Sequence, residues 1–221
     1  MIEIKELNKF YDIGGKKVKA VDNASLTVQK GEMLGIVGHS GSGKTTLLSL
    51  IGGLTKPDSG SVVIDGNNIW SMNDNNLSDF RNKKISFIYQ FASLIPTLTV
   101  FENIILPVTF GTHAEDAAGY ATQLCEAVGM CDKMQSYPSQ LSGGQQRRVA
   151  IARAFITNPE IVLADEPTGD LDEENEADVL RFFKKINDEK GTIFIIVTHN
   201  SELARQTGRQ MRMSNGIVAP V

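Results

Sequence analysis

The stretch Met33-Leu34-Gly35-Ile36-Val37-Gly38-His39-Ser40-Gly41-Ser42-Gly43-Lys44-Thr45-Thr46-Leu47-Leu48-Ser49-Leu50-Ile51 decides the fold. Met33 to Val37 is a short, mostly apolar run bounded by glycines, which reads as a buried strand. Thr45 to Ile51 reads as a helix with Leu47, Leu48, Leu50 and Ile51 apolar, ended by Gly52-Gly53 and Pro57. The loop between them meets the pattern G-x-x-x-x-G-K-[ST] in full, in the strand–loop–helix context that the pattern requires. Gly38, Gly41 and Gly43 let the backbone curl, so that N–H groups from Gly38, His39, Ser40, Gly41, Ser42 and Gly43 can face phosphate oxygens. The helix adds the positive end of its dipole through Lys44, Thr45 and Thr46. Lys44 is expected to reach the β- and γ-phosphates of a nucleotide, and Thr45 to offer its hydroxyl to Mg²⁺. His39 occupies a variable position of the pattern, and its side chain is assigned no role.

Outward from this loop, strand and helix signals alternate. Ile2 and Ile4 alternate with charged residues, Gly14-Gly15 suits a turn, and Val18 to Val21 and Ser25 to Val28 read as two further strands. Val62 to Ile64, Ile85 to Ile88, Ile161 to Ala164 and Ile193 to Val197 are strand candidates. Arg147 to Ile156 and Ala177 to Ile186 are helical. Asn215-Gly216 is a hairpin-type turn. The stretch from Phe91 to Leu141 has no convincing strand after Ile105 and reads as a mostly helical insertion. An α/β fold with a mainly parallel sheet follows.

The run Ile161-Val162-Leu163-Ala164 ends in Asp165-Glu166. Ligands of open α/β sheets sit beyond the carboxyl ends of the strands. Asp165 is therefore expected to hold Mg²⁺, directly or through water. Glu166 is expected to orient and activate the attacking water. A solvated Asp-Glu at a strand end is common; the phosphate loop is what gives this pair its meaning.

A third motif, Leu141-Ser142-Gly143-Gly144-Gln145, precedes Gln146-Arg147-Arg148-Val149-Ala150-Ile151-Ala152-Arg153-Ala154. Ser142 suits an N-cap, and Gly143 and Gly144 leave N–H groups exposed. This is a second anion-binding helix start in one chain. Arg147, Arg148 and Arg153 read as a solvated or interface face, and Trp70 has no evident site.

Together the three motifs resemble the ATP-binding subunit of an ABC (ATP-binding cassette) transporter, and the resemblance covers nearly the whole chain. It implies a P-loop NTPase core with an N-terminal antiparallel β-subdomain and an inserted helical subdomain. The whole chain would be one ABC ATPase domain. Residues 1–90 and 157–221 would form the core, and about 91–156 the insertion carrying the signature motif. It implies ATP and Mg²⁺ as ligands, and catalytic parts for Lys44, Gln90, Glu166 and His199. Gln90 is similar to the family's Q-loop glutamine, which senses Mg²⁺ and the attacking water. His199 resembles the switch histidine that contacts the γ-phosphate. Asp172, in Thr168-Gly169-Asp170-Leu171-Asp172, resembles the D-loop residue near the dimer seam. Tyr11 matches the aromatic that stacks on adenine, although Phe10 is adjacent and either ring is compatible with a core position. Ser142, Gly143, Gly144 and Gln145 would serve the γ-phosphate of an ATP held by a second copy of the chain, so that two chains sandwich two ATP molecules.

Finer detail narrows the resemblance. Glu166-Pro167-Thr168-Gly169-Asp170-Leu171-Asp172, Phe80 to Ile85 and Ser93 to Ile104 look like the lipoprotein-release and macrolide-export subfamily. Its members drive a separate membrane permease from the cytoplasmic face of the membrane, for export or release of lipoproteins, antibiotics or peptides. The groove between the core and the insertion, near Phe91 to Pro96, would receive a helix of that partner, as the apolar loop residues Leu94, Ile95 and Leu98 suggest. The chain has no run approaching the ~18 apolar residues of a membrane span, and its start lacks a secretory pattern. Cys125 and Cys131 match no metal spacing. The net charge of −4 gives no support to nucleic-acid binding. The alternative function is a soluble ABC ATPase acting on nucleic acid or ribosomes.

Overall fold

The computed structural model describes residues 1–111, 116–169, 171 and 173–221. Two long strands, β1 (Ile2–Ile13) and β2 (Lys16–Val28), pair antiparallel around Gly14-Gly15. β2 is one strand where the sequence suggests two. Asp22 and Asn23 read as a break; the strand runs on through them as a bulge, where pairing steps from Leu7–Ala24 to Lys9–Val21 and Asn23 is left-handed at φ 49°. β3 (Met33–Val37), the phosphate loop and α1 (Lys44–Ile51) follow. β4 (Ser59–Ile64) and β5 (Asn67–Asn68) complete a four-stranded antiparallel sheet in the order β2-β1-β4-β5.

α2 (Asp74–Lys84) was not expected from the sequence. Asn73 caps it by accepting the Asn76 N–H at 2.9 Å, and basic residues fill its last turn. β6 (Ile85–Ile88) leads to α3 (Val100–Ile105), α4 (Ala117–Ala127) and α5 (Gly143–Phe155), with no strand between Phe91 and Ile156 among the described residues. Then come β7 (Ile161–Asp165), α6 (Glu173–Lys190), β8 (Ile193–Thr198), α7 (Ser201–Arg205), β9 (Arg209–Ser214) and β10 (Ile217–Pro220). The turn at Asn215-Gly216 joins the last two strands. The larger sheet runs β10-β9-β3-β8-β7-β6 and is parallel throughout except at its β10 edge.

This sheet is covered on both faces, which explains its unbroken apolar runs. Ile161 and Leu163 of β7, and Ile193, Ile195 and Val197 of β8, face a cluster shared with the antiparallel sheet and α1. Val162, Ala164, Phe194 and Ile196 face the opposite way, into a cluster with α3, α4, α5 and α6. Phe155 of α5 stands edge-on to Phe182 at 5.1 Å and meets Phe194 at 6.2 Å. The signature helix therefore shares its core with the main sheet. Trp70, without a role in the sequence reading, donates its indole N–H to the Leu50 carbonyl at 3.1 Å and so ties the small sheet's exit to α1.

Candidate active site

Parallel pairing aligns four strand ends along one edge of the sheet. Val37 stands beside Thr198, Val197 beside Asp165, and Ala164 beside Ile88. The segments leaving those ends carry Gly38, His199, Glu166 and Gln90 in adjacent rows. Open parallel sheets present their ligand crevice at this edge.

In the loop after β3, Gly43 is left-handed at φ 107° and caps α1, and Gly41 has φ 76°. A Cβ on Gly43 would lie 2.0 Å from the Ala20 carbonyl oxygen. Gly38 needs its missing side chain for another reason: a Cβ there would lie 2.3 Å from the Met213 carbonyl oxygen. Lys44 is buried, and its ammonium donates to the carbonyls of Gly38 (2.7 Å) and His39 (3.1 Å). It bridges the loop it belongs to. The His39 and Ser40 side chains are exposed, and Thr46 is half-buried in the first turn of α1. Buried Ser42 Oγ has no partner among the described residues.

The Thr45 hydroxyl donates to Asp165 Oδ2 at 2.6 Å, although the two residues are 120 positions apart. Burial pushes the Asp165 carboxyl above the usual range, and neighbouring Glu166 adds to this. The Thr45 hydrogen bond and Lys44 oppose it. Glu166 takes a left-handed backbone at φ 47°, an uncommon conformation for a residue with a side chain. Such strain persists only where the surroundings enforce it. Here the Glu166 N–H donates to the Val197 carbonyl at 2.9 Å. Its carboxylate accepts the Thr198 hydroxyl at 2.7 Å and the His199 N–H at 2.8 Å. His199 Nδ1 lies 2.8 Å from the same Glu166 oxygen, with its ring largely exposed.

Gln90 is exposed two residues beyond β6. Ser142 caps α5 in a reciprocal box: its Oγ accepts the Gln145 N–H at 3.3 Å, and Gln145 Oε1 accepts the Ser142 N–H at 2.9 Å. Ser142 and Gly143 are exposed, Gly144 is half-buried, and a Cβ on Gly143 would meet nothing within 4 Å. Tyr11 is exposed near the end of β1, opposite Val18 and beneath the Lys9 ammonium at 5.7 Å. Phe10 lies under Lys19 at 5.6 Å. Asp172 lies outside the described residues.

The arginines after the signature motif are not a solvated face. Arg147 is buried and donates to the carbonyls of Tyr89 (2.5 Å) and Gly169 (3.0 Å). Arg153 donates to those of Ala92 (2.9 Å) and Ser93 (3.0 Å), and Arg148 to that of Val128 at 3.5 Å. Burial depresses the Arg153 guanidinium, which the nearby Tyr89 partly offsets. A guanidinium offers five donors in a fixed fork, so it can enter a protein interior where open carbonyls await it.

A sequence profile described as ABC transporter matches residues 21–169. The chain belongs to the ABC transporter family. It is 42% identical over 220 residues to the lipoprotein-releasing system ATP-binding protein LolD of Bordetella avium, an alignment covering 99% of this chain and 96% of that protein. Among solved structures it is similar to a dimeric, post-hydrolysis ATP-binding cassette bound to ADP and Pi. The TM-score is 0.92 at 38% identity, covering 99% of this chain and 96% of the other. A second dimeric cassette, of a bacterial ABC transporter, matches with TM-score 0.90 at 39% identity, covering 99% and 96%.

The chain is thus an ABC ATPase, and its strand-end residues fit the ligands of that activity. The loop presents a glycine cradle, a buried ammonium and the unpartnered Ser42 hydroxyl. Thr45 and Asp165 are two oxygen donors in direct contact, a set that suits a hard cation completed by phosphate and water. Thr198 is a site residue the sequence reading passed over. Its hydroxyl, at the end of an all-apolar strand, bridges Glu166 and the Asn200 N–H at 3.0 Å. The signal was a lone hydroxyl interrupting β8 just before His199.

Proposed function

We propose that this ABC ATPase hydrolyses Mg-ATP as a head-to-tail homodimer and drives a membrane permease in lipoprotein release. The observation that carries the catalytic part is the alignment of Lys44 and Thr45, Asp165 and Glu166, His199, and Gln90 at four adjacent strand ends. Lys44 exchanges loop carbonyls for β- and γ-phosphate oxygens. Thr45 and Asp165 would hold Mg²⁺, with Gln90 joining them from the neighbouring strand end. The cation, when bound, neutralises charge on the phosphates. Glu166 takes the proton of the attacking water, held by Thr198 and the His199 N–H so that its carboxylate is aimed before the nucleotide arrives. His199 contacts the γ-phosphate, and Tyr11 stacks on adenine. Ser142, Gly143, Gly144 and Gln145 bind the γ-phosphate of the partner's ATP, and Asp172 lies at the seam.

The dimer reading draws on the two dimeric cassettes above. The lipoprotein reading draws on relatives such as LolD. Residues 1–90 and 157–221 serve as the core and about 91–156 as the insertion that meets the permease, at the cytoplasmic face of the membrane. No helix among the described residues is long and apolar enough to cross a membrane. Phe91 and Ile95 are the exposed apolar residues of the receiving segment, whereas Leu94 packs against the core and Leu98 is half-buried.

Glu166→Gln is expected to bind ATP and lose turnover by about 10²-fold or more, measured by phosphate release. Turnover near the unsubstituted rate would overturn the site. The transport reading is tested by using Glu166→Gln to capture the permease from membranes and reconstituting that permease with the unsubstituted chain in vesicles carrying a lipoprotein. ATP-dependent release supports it; hydrolysis without release contradicts it.

A further inference from the structure

Arg147 carries a buried charge that the reaction as described does not use. It lies on α5, five residues past the Ser142 cap, and its two terminal nitrogens point to different loops. One donates to Tyr89, the residue before Gln90. The other donates to Gly169, three residues after Glu166, where the Gly169 N–H closes a turn on the Glu166 carbonyl at 3.1 Å. Six residues further along α5, Arg153 donates to the Ala92 and Ser93 carbonyls. The segment 89–93 is thus held at both ends by the signature helix, with Gln90 between the holds. Ser93 has φ 47°, a left-handed turn that presents its carbonyl to Arg153.

We propose that Arg147 is a positioning residue for hydrolysis. It fixes the spacing between the Gln90 segment and the turn after Glu166, and makes both follow α5 as one body. The inference rests on the reading of Gln90 and Glu166 given above. A buried cation that donates charge-assisted hydrogen bonds to both loops is costly to break and short in reach. An apolar side chain in its place leaves two carbonyls unpaired and both loops free to drift. A misplacement of about 1 Å at a reacting centre costs about 10²-fold in rate. A lysine supplies one compact ammonium and cannot reproduce the fork, so it restores only part of the loss.

The test is steady-state hydrolysis of Mg-ATP by the full chain carrying Arg147→Met, Arg147→Lys, Gln90→Ala, Glu166→Gln or Arg147→Met with Gln90→Ala, alongside equilibrium ATP binding. Arg147→Met should lower kcat by about tenfold or more while ATP affinity and KM stay within about twofold. Arg147→Lys should fall between. The Arg147→Met and Gln90→Ala losses should combine to less than their product, since one acts through the other. Unchanged kcat in Arg147→Met, or losses that multiply in full, would overturn the proposal. If Arg147→Met does not fold, Arg147→Lys enters the cycle under the same criterion. Glu166→Gln separates the two layers: retained turnover there sinks the underlying site reading, whereas its loss beside an unaffected Arg147→Met sinks this proposal alone.

Discussion

Asp165 weakens the nucleotide-free fold at neutral pH. Burial raises its carboxyl above the usual carboxylate range. A group whose folded pKa is raised gives its stability below the unfolded value and loses it as pH climbs through the folded one. Asp165→Asn should therefore melt higher than the unsubstituted chain at pH 7. The gap should narrow as pH falls and the native carboxyl takes up its proton. Thermal melts at pH 7 and below check this; a lower melting temperature at pH 7 would contradict it. Lys44, Thr45, Asp165, Glu166 and His199 could be picked out in the sequence because residue type and strand-end position reinforce each other. Arg147 was misread because its charge outweighed its spacing. It shares a buried stripe with Ile151 and Ala154, a period that could have found it.

The signature helix depends at its start on one small reciprocal bond pair. Ser142→Ala removes the cap, at about 1 kcal/mol, which corresponds to about 2–4 °C in Tm for a chain of this size. On the proposed trans role, its hydrolysis should fall further than so small a destabilisation explains; a turnover loss no larger than that of an equally destabilised core variant would point to capping alone. Elements with a continuous apolar run were readable, since burial on both faces leaves no room for polar alternation. α2 was not: its sequence DNNLSDFRNKK buries only Leu77, with Phe80 packed part-buried against the core. The continuity of β2 was equally hidden, because its two local turn formers, Asp22 and Asn23, are taken up in a bulge and the strand resumes beyond them.

At the scale of the molecule, the phosphate loop and the signature start occupy different helices: α1 packs on β7 and β8, and α5 on β6, α3 and α4. One chain offers two anion-binding starts, and the proposed function uses the second on a partner's nucleotide. Resting protein should be monomeric, because part of the interface is nucleotide. The sequence motifs pointed to this pairing only through the family resemblance, since no spacing within one chain can reveal a symmetry-related contact. Light scattering on Glu166→Gln, with and without Mg-ATP, tests the claim most directly. The expected mass is that of one 24.1 kDa chain without nucleotide and twice that with it. A mass that stays at one chain, in protein shown to bind ATP, would contradict it.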